Sequence, residues 1–206
     1  MGLLDSGETR PQSAASPSTT MLTWAGVDGS RLEAVRVVLG DRGMRATGSM
    51  ISAAADDHEA HSASYTLSTD ESGVLSRLTV RTTTAGGEVH VNLSRSDEGN
   101  WLIDHGDGAQ RTEFEGALDA DLAFSPLFNA LPVRRAGLHR TPHDCELSVV
   151  HIGLPSLRVQ LMRQTYRTVS VGERPVVAFA GGGATADLVL DAEGLVIDYP
   201  GLARRV

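Results

Sequence analysis

The chain has 206 residues, 41% of them hydrophobic, with 18 Lys and Arg against 26 Asp and Glu and a net charge of −8 at pH 7. That length suits one domain with a full core, and the acidic average field repels phosphate backbones, which excludes nucleic acid as a partner. The single cysteine, Cys145, has no intrachain partner, and no apolar run reaches the roughly 18 residues of a membrane span.

Residues 1–20 mix Asp5, Glu8 and Arg10 with Ser, Thr, Ala and Pro. They lack the basic start and apolar core of a secretory signal, so a cytoplasmic location is expected. They also carry too little apolar surface to offset the entropy of ordering, which predicts a flexible tail followed by one domain over 21–206. Beyond the tail, apolar residues recur at every second position: Val35, Val37 and Leu39; Leu78 and Val80; Val89, Val91 and Leu93; Leu157, Val159 and Leu161. This is the strand period. Between the runs stand "GDRG" at 40–43, "DESG" at 70–73, "AGG" at 85–87, "SDEGN" at 96–100, "GGGA" at 181–184 and "DAEG" at 191–194. Turn chemistry at that density predicts an all-β, mostly antiparallel sheet built from hairpins, with a helical turn in 122–130. Its apolar face must be covered by a second sheet, by closure, by a helix or by a ligand. With long helical patterns missing, the choice falls between a sandwich and a curved sheet whose concave side is an apolar groove.

The stretch "FEGALDADLAFSPLFNALPVRR" at 114–135 sets Asp119 and Asp121 two positions apart, ahead of an apolar run and the adjacent Arg134 and Arg135. On an extended chain the two aspartates share a face at about 7 Å. Three uses are open to them: a buried network neutralised by the arginines, a head-group site in which carboxylates accept from hydroxyls, or an acid/base pair. His58 and His61 in "DDHEAH" offer two imidazoles without a third ligand, which reads as a solvated loop and not a metal site. His143 and Cys145 in "HDC" are close in sequence, but an activated thiol needs the imidazole positioned against the sulfur and a third group orienting it, which adjacency does not provide. "GGGA" is followed by a strand pattern and so marks a hairpin, not a phosphate cradle. No cofactor motif is present. Trp24 and Trp101 are the two indoles, each either a core residue or a platform for a sugar ring.

Several linked motifs resemble the bacterial family named for glycolipid binding, formerly a domain of unknown function. "LDADLAFSPLFNALPVRR" carries the pattern at Leu118, Asp119, Asp121, Pro126, Asn129, Leu131, Pro132, Arg134 and Arg135. "LPSLRVQLMRQTY" at 154–166 and "GLVIDYPGLARRV" at 194–206 resemble later family segments; Trp24 with Glu33, and Trp101 with Asp104 and Gly106, match weaker ones. The family often has Thr where this chain has Phe128. The resemblance implies a large curved β-sheet rolled into a partial barrel with an apolar concave face and few short helices. It further implies a glycolipid or other amphiphile as partner. The clustering of opposed charges at an apolar segment then leads to a non-catalytic binder with acyl chains in the groove and Asp119, Asp121, Asn129, Arg134 and Arg135 at the head group, joined by Trp24 and Trp101 as candidate sugar platforms. Two other readings stand beside this one. One is a hydrolase of glycolipids or sugar esters using Asp119 or Asp121, and the other is a homodimeric interaction module; oligomeric state is left open.

Overall fold

A computed structural model describes residues 17–206 except 42 and 57. The expected tail lies outside the described residues as far as position 16. From Ser18 onward the chain is strand. The strands are β1 (Ser18–Gly26), β2 (Arg31–Leu39), β3 (Met44–Ser52), β4 (His61–Thr69), β5 (Leu75–Thr84), β6 (Gly87–Arg95), β7 (Trp101–Asp104), β8 (Ala109–Thr112) and β9 (Asp119–Leu122). Helix α1 (Pro126–Ala136) follows, and then β10 (Asp144–Ile152), β11 (Val159–Ser170), β12 (Val176–Gly181), β13 (Ala184–Leu190), β14 (Val196–Tyr199) and β15 (Ala203–Arg205). All fifteen strands belong to one sheet in the order β8-β7-β6-β5-β4-β3-β2-β1-β15-β14-β13-β12-β11-β10-β9. The final strand thus pairs with the first, joining two meanders, while β8 and β9 remain as edges and the roll is not closed.

The turn chemistry explains the hairpins. Asp70 Oδ1 accepts the backbone N–H of Ser72 at 2.8 Å and of Val74 at 3.0 Å, and Asp191 Oδ1 does the same for Glu193 at 3.0 Å and Leu195 at 2.9 Å. These are Asx turns, which is why "DESG" and "DAEG" reverse the chain. Gly182 at φ +59° and Gly183 at φ +83° are the central pair of the two-residue β12–β13 hairpin, where a turn matched to strand twist needs two left-handed residues.

The expected apolar concave face is present, but the protein covers it itself. Every residue of α1 from Pro126 to Arg134 is buried. Leu127, Phe128, Ala130 and Leu131 join a first core with Val35, Val37, Tyr65, Leu78 and Val91 from the N-terminal meander. Val133 and Leu138 join a second with Tyr166, Val177, Leu188 and Val196 from the C-terminal one. The uncovered acyl groove expected on the concave side is therefore corrected: its volume is taken by α1, an eleven-residue helix that continues well past the turn expected at 122–130. Pro126 pre-sets φ in the first turn. At the other end Gly137, at φ 71°, lets the Leu138 N–H return to the Val133 carbonyl at 3.0 Å.

Among the described residues, β9 and β10 form the one parallel pair. Ala120, Leu122, Val150 and Ile152 face the first core, and Val149 on the opposite side of β10 is equally buried. Burial on both faces is the usual setting of parallel strands. Among the described residues, no helix is long and apolar enough to cross a membrane.

Candidate functional site

Because β9 is extended, Asp119 and Asp121 do share a face, opposite Val149 and His151 of β10. They meet different partners. Arg135 grips Asp119 in a fork, Nη2 to Oδ2 at 2.6 Å and Nε to both carboxylate oxygens at 3.2 Å. Burial pushes the Asp119 carboxyl up while Arg135 opposes the shift, and the same contact holds the Arg135 guanidinium charged. Asp121 instead has His151 Nδ1 3.1 Å from Oδ2 and accepts Gln164 Nε2 at 2.9 Å. The chain of bonds continues inward: Tyr166 donates its hydroxyl to Gln164 Oε1 at 2.9 Å, and Asn129 of α1 donates Nδ2 to the Tyr166 oxygen at 3.1 Å. Burial raises the Tyr166 hydroxyl well above its usual range, so it stays a donor.

Arg134 goes elsewhere. Its guanidinium donates to the carbonyls of Glu193 and, at 3.0 Å, Gly40, tying the end of α1 to the β13–β14 and β2–β3 turns. The five polar residues expected to form one head-group cluster thus fall into three parts, and none is a free donor set beside an apolar groove. Asp119, Asn129 and Arg134 are buried. The indoles do not offer sugar platforms. Trp24 and Trp101 are 1% and 0% exposed, and their N–H groups donate to Val196 O at 2.9 Å and Ala117 O at 3.0 Å. Phe128, in the position where the family often has Thr, packs edge-on against Tyr65 in the first core, with ring centroids 5.3 Å apart.

His58 and His61 pack in a T with centroids 5.3 Å apart, and among the described residues no group of three or more His, Cys, Asp and Glu side chains is placed to hold a metal ion. Burial pushes the Cys145 thiol up, which disfavours the thiolate.

Sequence reasoning gave Glu33 only as part of a weak motif, yet its carboxyl lies in the interior and is shifted far from its ordinary value. It is 3% exposed. Tyr65 and, at 2.6 Å, Ser125 both donate hydroxyls to Oε1. Burial outweighs both bonds and raises the group to about 7. Its other oxygen, Oε2, has no partner among the described residues. The signal was available: Glu33 has the inward parity of Val35, Val37 and Leu39.

On the outer surface a trough of about 710 Å³ crosses four strands. The register sets Asp144, Arg167, Ala178 and Asp187 side by side in one row and Glu146, Thr165, Ala180 and Thr185 in another. Between them lie Cys145, Tyr166, Phe179 and Ala186, whose side chains turn inward to the second core, so their backbone forms the floor. The charged members are exposed, and Ala178 and Ala180 keep the floor low. One row farther on, the same face carries Val176 opposite Val189; beside it Val169, at the bulge of β11, and Val171, just past the strand's end, are 51% and 45% exposed.

The described residues thus form an open, mostly antiparallel β-roll wound round a buried helix, with a charged trough on its outer face. Residues 21–205 match the model of the family described as "Putative glycolipid-binding", and the chain belongs to that family. It is also similar to a crystal structure of a DUF1089 family protein from Pseudomonas aeruginosa, with 28% identity over 86% of this chain and 92% of the other and a TM-score of 0.69. No curated protein matches the chain.

Proposed function

We propose that this protein is a non-catalytic binder of an amphiphile of glycolipid type, with the polar head in the outer trough and the acyl stem along the valine strip beside it. The observation that carries this reading is the adjacency of the two surfaces on one face of β11–β13. The trough's volume lies within the roughly 300–1,000 Å³ usual for small-molecule sites. Asp144 and Asp187 would accept from sugar hydroxyls and Arg167 would donate to them, while Val169, Val171, Val176 and Val189 would take apolar area from water. In this reading Asp121 and Asn129 act from behind the trough, through Gln164 and Tyr166, while the Asp119–Arg135 fork and the Arg134 bonds to the Glu193 and Gly40 carbonyls hold β9, α1 and the turns in place. A hydrolase built on Asp119 and Asp121 is less well supported, because the first is closed by a buried fork from Arg135.

The test is an NMR titration with octyl glucoside below its critical micelle concentration. Backbone amide shifts should concentrate in β10–β13. The double variant Arg167→Ala, Asp187→Asn should bind about tenfold more weakly, in line with the loss of charge-assisted hydrogen bonds. Shifts confined to other strands, or an undiminished response in the double variant, would remove the proposal.

A further inference from the structure

A second pocket lies away from the trough, where β1, β2 and β15 meet the entry to α1. It is small, about 10 Å³, and its walls include Trp24, Leu32, Met50, Phe124 and Leu202. Two polar residues also line it, Arg31 and Glu33, which sit two apart on β2 with inward parity and so face the same side. Each brings an atom that is buried and without a partner among the described residues, Arg31 Nε and Glu33 Oε2. Buried groups left unpaired are costly, so a donor and an acceptor on residues lining one pocket call for a common partner.

We infer that this pocket is a binding site for the hydroxyl of a neutral alcohol or polyol. A hydroxyl has the chemistry that both orphans lack, a proton to donate to Glu33 Oε2 and lone pairs to accept from Arg31 Nε–H. An ammonium would face the Arg31 guanidinium, and a carboxylate would face Glu33 across apolar walls, so a neutral ligand is selected. The hydroxyl also serves if Glu33 is protonated, because its oxygen has two lone pairs and accepts from both sides. Phe124 is the yielding wall. It holds the left-handed φ of 67°, which non-glycine residues rarely adopt, and its ring lies 4.0 Å beneath the Arg31 guanidinium. In its present form the pocket has room for about one water; a carbon-borne hydroxyl needs Phe124 to withdraw.

The experiment uses the whole chain and glycerol as probe, followed by the Trp24 indole N–H cross-peak and the ¹³C shift of the Glu33 carboxyl. Both should move saturably with glycerol. The saturable component should be lost in Arg31→Met, which keeps the side-chain stem but removes the donor, and in Glu33→Ala if that variant folds; Phe124→Ala should saturate at lower glycerol. A response linear in concentration, or one unchanged in Arg31→Met, would mean that the pocket holds a bound water only and would overturn the inference. The outcome is independent of the trough, whose residues lie on other strands.

Discussion

Ser125, the residue before α1, donates its hydroxyl to Oε1 of Glu33 on β2 at 2.6 Å. Serine in that position ordinarily accepts a backbone N–H of the first helical turn, but here no side-chain cap bond forms. The hydroxyl is spent on joining the helix to the sheet that surrounds it. Ser125→Ala should therefore destabilise the fold by about 1–3 kcal/mol, the range for leaving a buried acceptor short of a donor. It should also move the Glu33 titration upward, since the Ser125 bond lowers it. Urea unfolding and ¹³C titration of the Glu33 carboxyl read the two effects; an unchanged titration would mean that the bond does not hold Glu33.

Glu33 also sets a pH dependence. Burial lifts its folded value to about 7, above the ordinary 4.5 of an exposed glutamate. The folded state therefore binds the extra proton between those limits, and the stability gained by doing so is full below about 4.5 and lost as pH rises through about 7. Tyr65, which donates to it, is raised well above its usual range by burial and stays protonated through this interval. Glu33→Gln resembles the protonated acid. The variant should flatten the slope between pH 5 and 7 and be the more stable protein at pH 8, by an amount on the order of 3 kcal/mol. Unfolding midpoints across that range provide the check.

The Asp119–Arg135 fork should behave as a coupled unit. Asp119→Asn leaves a largely buried guanidinium without its counter-charge, and the loss of one partner of a buried pair costs roughly 3–5 kcal/mol. Replacing both by apolar residues, as in Asp119→Leu with Arg135→Met, should cost less than either single change. A double-mutant cycle on denaturant midpoints decides it, and additive losses would contradict the coupling.

Gly48 stands opposite Tyr65 in the β3–β4 register, and a Cβ there would overlap the tyrosine ring. The ring is fully enclosed, pinned by Glu33 and by Phe128. Gly48→Ala should cost about 1–3 kcal/mol as an overpacking change and displace the Tyr65 hydroxyl from Glu33. The expected readouts are a lower midpoint and a shifted Glu33 carboxyl resonance.

Much of this architecture was written in local patterns. The alternation through Val35, Val37 and Leu39, or Val89, Val91 and Leu93, gave strands, and "DESG", "AGG" and "DAEG" gave the reversals, because both depend on neighbours in the chain. α1 escaped for a physical reason. A helix wrapped on all sides is apolar all round and shows no periodic stripe, and a sequence with Pro126 and Pro132 has weak helix propensity. One of those prolines begins the helix and the other is tolerated inside it, where the sheet holds the chain. The family motif was visible in Asp119, Asp121, Arg134 and Arg135, but their partners were not, since opposed charges close in sequence need not pair.

The sequence by itself determined that hairpin would follow hairpin and which face of each strand would be apolar, because side-chain alternation and turn conformation are properties of a few consecutive residues. Only the tertiary structure decided that the oily hollow would be filled by α1, that Arg135 and not Arg134 would reach Asp119, and that Glu33 would lie out of water beside Ser125. Those outcomes depend on how a fifteen-stranded sheet bends in space, and that curvature brings together residues separated by most of the chain.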